Sequence, residues 1–161
     1  MQDLLDEISC RVDNKGRMMF PAKWRKQLEQ VIHSGLVVNR DIYQKCLVVF
    51  PAPEWAKMLA LFENLNDFDD EDMAFKRKFL RGASRIELDS VGRLAIPTGL
   101  LTYMEVDPNG DNEIIACGMG GKIELWSKVN HQNDVLEDNE DFKALANKVK
   151  SKMVPKPKGN D

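Results

Sequence analysis

The chain is poor in the residues that enzymes and metal proteins depend on. It has two histidines in 161 residues, His33 and His131, and neither stands beside a nucleophile motif or a glycine-rich phosphate loop. Catalysis therefore finds no support. Cysteine is scarce as well: Cys10, Cys46 and Cys117 are odd in number, far apart and without C-x-x-C spacing, which argues against a disulfide framework and against a zinc site. The three thiols are expected as small core hydrophobes. No apolar run approaches the roughly 18 residues needed to cross a bilayer, and the opening "MQDLLDEISC" lacks the basic-then-apolar order of a secretory signal. These absences predict a cytoplasmic protein with no membrane partner, no cofactor, no metal and no small-molecule substrate.

What is present is a globular composition, with 43% hydrophobic and 30% charged residues, enough to fold as one ordinary domain or two small ones. A net charge of −3 would by itself speak against a nucleic-acid partner, but the charge is unevenly spread. Between Ile8 and Gln27 stand Arg11, Lys15, Arg17, Lys23, Arg25 and Lys26 against Asp13 alone. Between Lys76 and Arg93 stand Lys76, Arg77, Lys78, Arg81, Arg85 and Arg93 against Glu87 and Asp89. The acid is gathered in "ENLNDFDDED" (Glu63 to Asp72) and "DVLEDNEDF" (Asp134 to Phe142), which read as solvated linkers or helix starts.

Each basic block contains the pattern D-x-x-G-R-x-x-x-P, once as "DNKGRMMFP" from Asp13 and once as "DSVGRLAIP" from Asp89, 76 residues later. At that offset "CLVVFP" falls on "KIELWS", so a whole unit is repeated and not only a motif. One unit of about forty-five residues is too small to hold a comfortable core, so the two must pack on each other or on other chains. Both units have the same order of elements. Two β-rich runs flank a tight turn ("ISCRV" and "RMMF"; "RIEL" and "RLAI"), with Gly16 and Gly92 where positive φ is needed. A proline then opens a short helix, "AKWRKQLEQV" or "TGLLTYMEV". His33, near the end of the first of these, suits the helix dipole. Two more β-rich runs close each unit. Between the units, "PEWAKMLALFENL" sets Trp55, Leu59, Phe62 and Leu65 on one face, and "DEDMAFKRKFLRG" brings Phe75 and Phe79 together, predicting an αα linker with a core-facing stripe. "DFKALANKVK" reads as a last amphipathic helix, and "SKMVPKPKGND" as a disordered tail.

The paired motifs, "CLVVFP..EW", "KIELWSK" and the helical linker together resemble the MraZ family over roughly Ile8 to Lys128. The resemblance implies an α+β fold, mainly β with helices. Two tandem AbrB-like swapped-hairpin units would form a pseudo-twofold barrel with an αα linker and a C-terminal helix. The corresponding division is 7–54 and 83–128 for the repeats, 55–82 for the linker and 129–161 for the C-terminal part. It also implies a transcriptional regulator that assembles into rings and binds direct repeats in double-stranded DNA upstream of the cell-division and cell-wall gene cluster, its own promoter included, in association with the nucleoid. A competing reading keeps the fold but makes the main partner a protein, as for an antitoxin or scaffold. Two repeats and a short tail favour the regulator.

Elementary chemistry gives the motif residues roles. Arg17 and Arg93 on tight turns can reach a phosphate or the O6/N7 edge of guanine. Lys15, Arg11, Lys23 and Arg25, with Lys26, can add phosphate contacts that hold register. Asp13 and Asp89 are structural, closing the turn or orienting the arginine, and Gly16 and Gly92 allow close approach. The bland alternative is that Arg17 only pairs with Asp13 and touches nothing else. Arg93 is expected to contribute less than Arg17, since Val91 replaces Lys15 and Glu87 dilutes the charge.

Overall fold

The computed structural model describes residues 3–137 and 141–155. The first half supplies β1 (Glu7–Arg11), β2 (Arg17–Met19), α1 (Ala22–Gln27), β3 (Leu36–Arg40) and β4 (Leu47–Pro51). Helices α2 (Ala52–Leu61) and α3 (Asp70–Leu80) follow. The second half gives β5 (Ser84–Ile86), β6 (Arg93–Ala95), α4 (Thr98–Tyr103), β7 (Glu113–Gly118) and β8 (Ile123–Ser127), and the chain continues through α5 (Lys128–His131) and α6 (Phe142–Val149). The fold is α+β, mainly sheet with helices, as the sequence predicted. No helix among the described residues is long and apolar enough to cross a membrane.

The strands do not sort by repeat. One sheet has the order β1-β7-β8-β4-β3-β5, and β2 pairs with β6 in a separate ribbon. Strand β1 borders the second half's β7–β8 hairpin, and β5 borders the first half's β3–β4 hairpin. The hairpins meet at the centre, where Leu47 faces Leu125 and Val49 faces Ile123 around an approximate twofold axis. In the ribbon the same symmetry sets Met18 opposite Leu94. The runs on either side of the D-N-K-G turn share only the isolated bridge Val12–Met18. Beyond it each takes its ladder partner from the other repeat, which lets two undersized units build one core.

That core lies between the sheet and the ribbon with its short helices. Leu36, Val38, Leu47, Val49, Ile114, Ala116, Ile123 and Leu125 point inward from alternate strand positions and meet Met18 and Leu94. Trp24 and Leu28 of the α1 segment, with their repeat counterparts Leu100 and Met104, close the far side. Each such side chain contributes about 1.5–3 kcal/mol on full burial, against at most about 1 kcal/mol for an exposed ion pair. Apolar burial therefore fixes the fold.

On the sheet's outer face the αα linker covers the first half. Val37, Val48, Phe50 and Trp55 cluster there with Phe79 against them, and Trp55 stacks on Phe79 at 6.1 Å with Phe62 edge-on to it at 5.0 Å. Asn39, buried in β3, donates to the Phe79 carbonyl at 3.0 Å and fixes the end of α3. The acidic run before α3 acts as a helix start: the Asp69 carboxylate accepts from the Asp72 amide. Asp141 caps α6 in the same way through the Lys143 amide. The predicted structureless tail needs correcting at its start, since Lys150–Met153 continues α6 as a 3-10 turn. Residues 156–161 of that tail, and 138–140 of the acidic run before it, lie outside the described residues.

Candidate nucleic-acid interface

The D-x-x-G-R pattern is explained by its hydrogen bonds. In the first copy, Asp13 Oδ1 accepts the amides of Lys15 and Arg17, each at 2.9 Å, and Oδ2 accepts Arg17 Nε at 2.8 Å. In the second, Asp89 Oδ1 accepts Val91 and Arg93 amides at 3.1 and 2.9 Å, and Oδ2 accepts Arg93 Nε at 2.8 Å. The turn closes by the Gly16 and Gly92 amides donating to the aspartate carbonyls. Both glycines have positive φ, +77° and +89°, the conformation that costs a side-chain-bearing residue most. Only a carboxylate four residues before the arginine meets two amides and the Nε at once. These bonds, led by the arginine backbone amide, hold both carboxyls below the usual aspartate range.

The arginine thus has its ion pair and free donors together. Nε is committed to the aspartate, and the terminal nitrogens of Arg17 and Arg93 donate to no acceptor among the described residues. Both side chains are about one-third exposed, at 31% and 32%. Along the ribbon Met18 and Leu94 point to the core, so Arg17, Met19, Arg93 and Ala95 share the outward face. Arg17 lies opposite Ala95 and Arg93 opposite Met19, diagonal positions about 8 Å apart in an antiparallel pair. The two loops are brought to one surface from 76 residues apart.

Their neighbours differ. A Cβ placed on Gly16 would come within 3.1 Å of the Ile96 carbonyl and of Leu101 Cδ1, whereas one placed on Gly92 would collide with the guanidinium of Arg25. Arg25 and Leu101 are repeat counterparts, on α1 and α4. Each short helix therefore lays the same position over the other repeat's loop, a cation over the second loop and an apolar group over the first. Charge along the strand favours the first loop through Lys15; Arg25 supplies the second with a cation that its own stretch lacks. A shallow cleft beside it is lined by Arg25, His33, Glu87 and Asp89.

The remaining basic candidates stand elsewhere. Arg11 reaches Glu113 at 2.6 Å and Asn112 at 3.2 Å along the β1–β7 edge, and Lys23 pairs with Asp6. Lys15 is exposed on the first turn. Lys15, Arg17, Arg25 and Arg93 gather about the ribbon, while Arg11 and Lys23 are engaged by acids. Sequence order could not separate these groups, because Glu113 reaches Arg11 only through the β1–β7 pairing, and Asp6 reaches Lys23 only where the start of β1 meets α1.

The cysteines behave as expected of core groups: Cys46 is fully buried, Cys117 is 7% exposed and Cys10 is intermediate. Burial raises all three thiols, Cys117 to about 12.

The chain is similar to known proteins over nearly all of its length. The family described as "MraZ protein, putative antitoxin-like" matches twice in tandem, over residues 4–78 and 79–151. A protein of Cytophaga hutchinsonii named "Transcriptional regulator MraZ" is 34% identical, covering 88% of this chain and 91% of its own length. Proteins with the same name from Christiangramia forsetii and Flavobacterium psychrophilum are 32% and 33% identical, covering 92% of this chain and 94% and 92% of theirs. With two tandem matches spanning nearly all of its length and such relatives end to end, the chain belongs to the MraZ family.

Proposed function

We propose that the protein is a sequence-specific regulator of transcription that binds double-stranded DNA through the two D-x-x-G-R loops. One observation carries the reading. Arg17 and Arg93 are each held by an aspartate through Nε alone, which leaves the terminal nitrogens presented from the outward face of a single ribbon. A guanidinium oriented in this way is suited to a phosphate or a guanine edge, with less entropy to lose than a free side chain. Lys15 and Arg25 flank the pair and would add phosphate contacts, while Arg11 and Lys23 serve at the periphery. The name carried by the relatives supports regulation of transcription.

In this reading residues 7–54 and 83–128 act as the two contacting units, 55–82 braces them, and 129–161 extends from the second. The protein works in the cytoplasm at the nucleoid, as a ring of identical subunits. Head-to-tail subunits present loops of one polarity, so the operator is a set of direct repeats about 10 base pairs apart, upstream of the cell-division and cell-wall genes and of the protein's own. A footprint on the DNA preceding its own gene tests this. Protection of evenly spaced direct repeats, lost when spacing is altered by half a turn, is the expected result. Protection of a palindrome or of nothing, with a protein partner captured instead, would favour a scaffolding reading or the antitoxin-like one that the family description names.

A further inference from the structure

The two repeats differ in chemistry on the outer face of the sheet, at three equivalent positions. In the first half these are Trp55 at the start of α2, Asn39 on β3 and Ala83 beside β5. Trp55 packs there on Phe50 and Phe79. In the second half the same positions hold His131 on α5, Cys117 on β7 and Glu7 on β1, with Glu7 directly opposite Cys117 in the ladder. A tryptophan, an asparagine and an alanine have been exchanged for three side chains that ligate metals.

From this constellation we propose that Glu7, Cys117 and His131 bind a zinc-class divalent cation. The His131 side chain is 6% exposed and Cys117 is 7% exposed, so both donors are already desolvated and aimed at one point. Glu7 is 53% exposed and leaves the site open on one side. Its Oε1 lies 3.1 Å from His131 Nε2 and 3.9 Å from Cys117 Sγ, and all three donor atoms fall within 4.8 Å of one another. Tetrahedral zinc with ordinary bond lengths needs oxygen–nitrogen and oxygen–sulfur edges of about 3.4 and 3.6 Å, so closing the triad on an ion takes small side-chain shifts. Imidazole, thiolate and carboxylate together suit zinc better than magnesium or calcium, and three protein ligands leave a fourth position for water. Glu7 Oε1 lies within hydrogen-bonding reach of both the imidazole and the thiol, so one carboxylate already joins the three donors. Burial and the carboxylates of Glu7 and Glu124 keep that thiol protonated without a cation, so binding releases its proton. The ion would tie the edge strand β1 to the helix that leads into the C-terminal part. The other grouping of ligand types, Asp41, Cys46 and Glu124, is a weaker candidate. Its Glu124 already accepts from Trp126 Nε1, and Asp41 from two backbone amides.

The test is a titration of the full-length protein, reduced and freed of metal with a chelator, with cobalt(II) as the spectroscopic probe. The expected result is one equivalent per chain, with a thiolate-to-cobalt charge-transfer band, four-coordinate d–d absorption and displacement of the cobalt by zinc. Cys117→Ser should abolish the charge-transfer band, and Cys10→Ser and Cys46→Ser should keep it. His131→Gln should weaken binding at least tenfold; Glu7→Gln, at a half-exposed position that leaves the fold intact, at least fivefold. A folded wild-type protein without the band, a band that survives Cys117→Ser, a band lost with Cys46, or unchanged affinity in Glu7→Gln would each overturn the site.

Discussion

The first and second D-x-x-G-R loops have the same hydrogen bonds, turn and ion pair, and differ in what lies over them. Leu101 covers Gly16 and Arg25 covers Gly92. The internal bonds are a property of the motif, repeated wherever its spacing is repeated. The covering residue is a property of the swap, since it comes from the other repeat. The comparison teaches that the charge of a loop in an interleaved fold cannot be counted along its own strand. Val91 in place of Lys15 takes a cation from the second loop, and Arg25 brings one to it from the first repeat.

The largest separation should appear when the two covering residues are truncated. Leu101 is 2% exposed, and Leu101→Ala should cost about 2–5 kcal/mol of stability, seen as a lower denaturant midpoint with the DNA salt slope unchanged. Arg25→Ala, at an exposed site, should leave the midpoint within about 0.5 kcal/mol and weaken DNA binding. Equal loss of stability in the two variants would mean that the covering positions are not differentiated.

Next in size are the arginines. Arg17→Ala and Arg93→Ala should each cost about 1–3 kcal/mol of operator binding in a folded protein, with the slope of log affinity against log salt flattened by roughly 1 for each phosphate that the variant no longer neutralises. Arg25 narrows the expected gap between them. The proposal would be falsified if both folded variants bound as tightly as wild type with the same salt slope.

A smaller effect should come from exchanging the turn residues. Val91→Lys should steepen the salt slope and tighten binding, and Lys15→Val should do the reverse, each by less than an arginine change because a lysine acts here as a single mobile charge. Filter binding at several salt concentrations would resolve them, and no change in either variant would remove Lys15 from the interface.

The smallest difference should be in acid, where the loops are alike. Both aspartates have folded pKa values below the unfolded value, so each contributes stability that is present above the ordinary carboxylate range and lost as pH falls through the lowered value. Asp13→Asn and Asp89→Asn should flatten the acid limb of stability against pH by the same amount. A difference between them would show that Arg25 or Leu101 alters the turn itself.

The sequence by itself determined much of this molecule, for reasons of local geometry. A carboxylate four residues before an arginine, with a glycine between, closes the same turn twice because every bond in it lies within five residues. Proline opens α1 and α4, Asp69 and Asp141 cap their helices, and short runs rich in β-formers mark β3, β4, β7 and β8. The resemblance carried by those motifs matched the family. The tertiary structure alone decided which strand pairs with which, because the ladders run between repeats and neither repeat's sequence encodes its partner's register. It also withdrew Arg11 and Lys23 into ion pairs with Glu113 and Asp6, placed Arg25 on the second loop, and gathered Glu7, Cys117 and His131 from distant positions where no C-x-x-C spacing could reveal them. Contacts of that kind arise from packing two small units into one core, and their long sequence separations leave no local pattern to read.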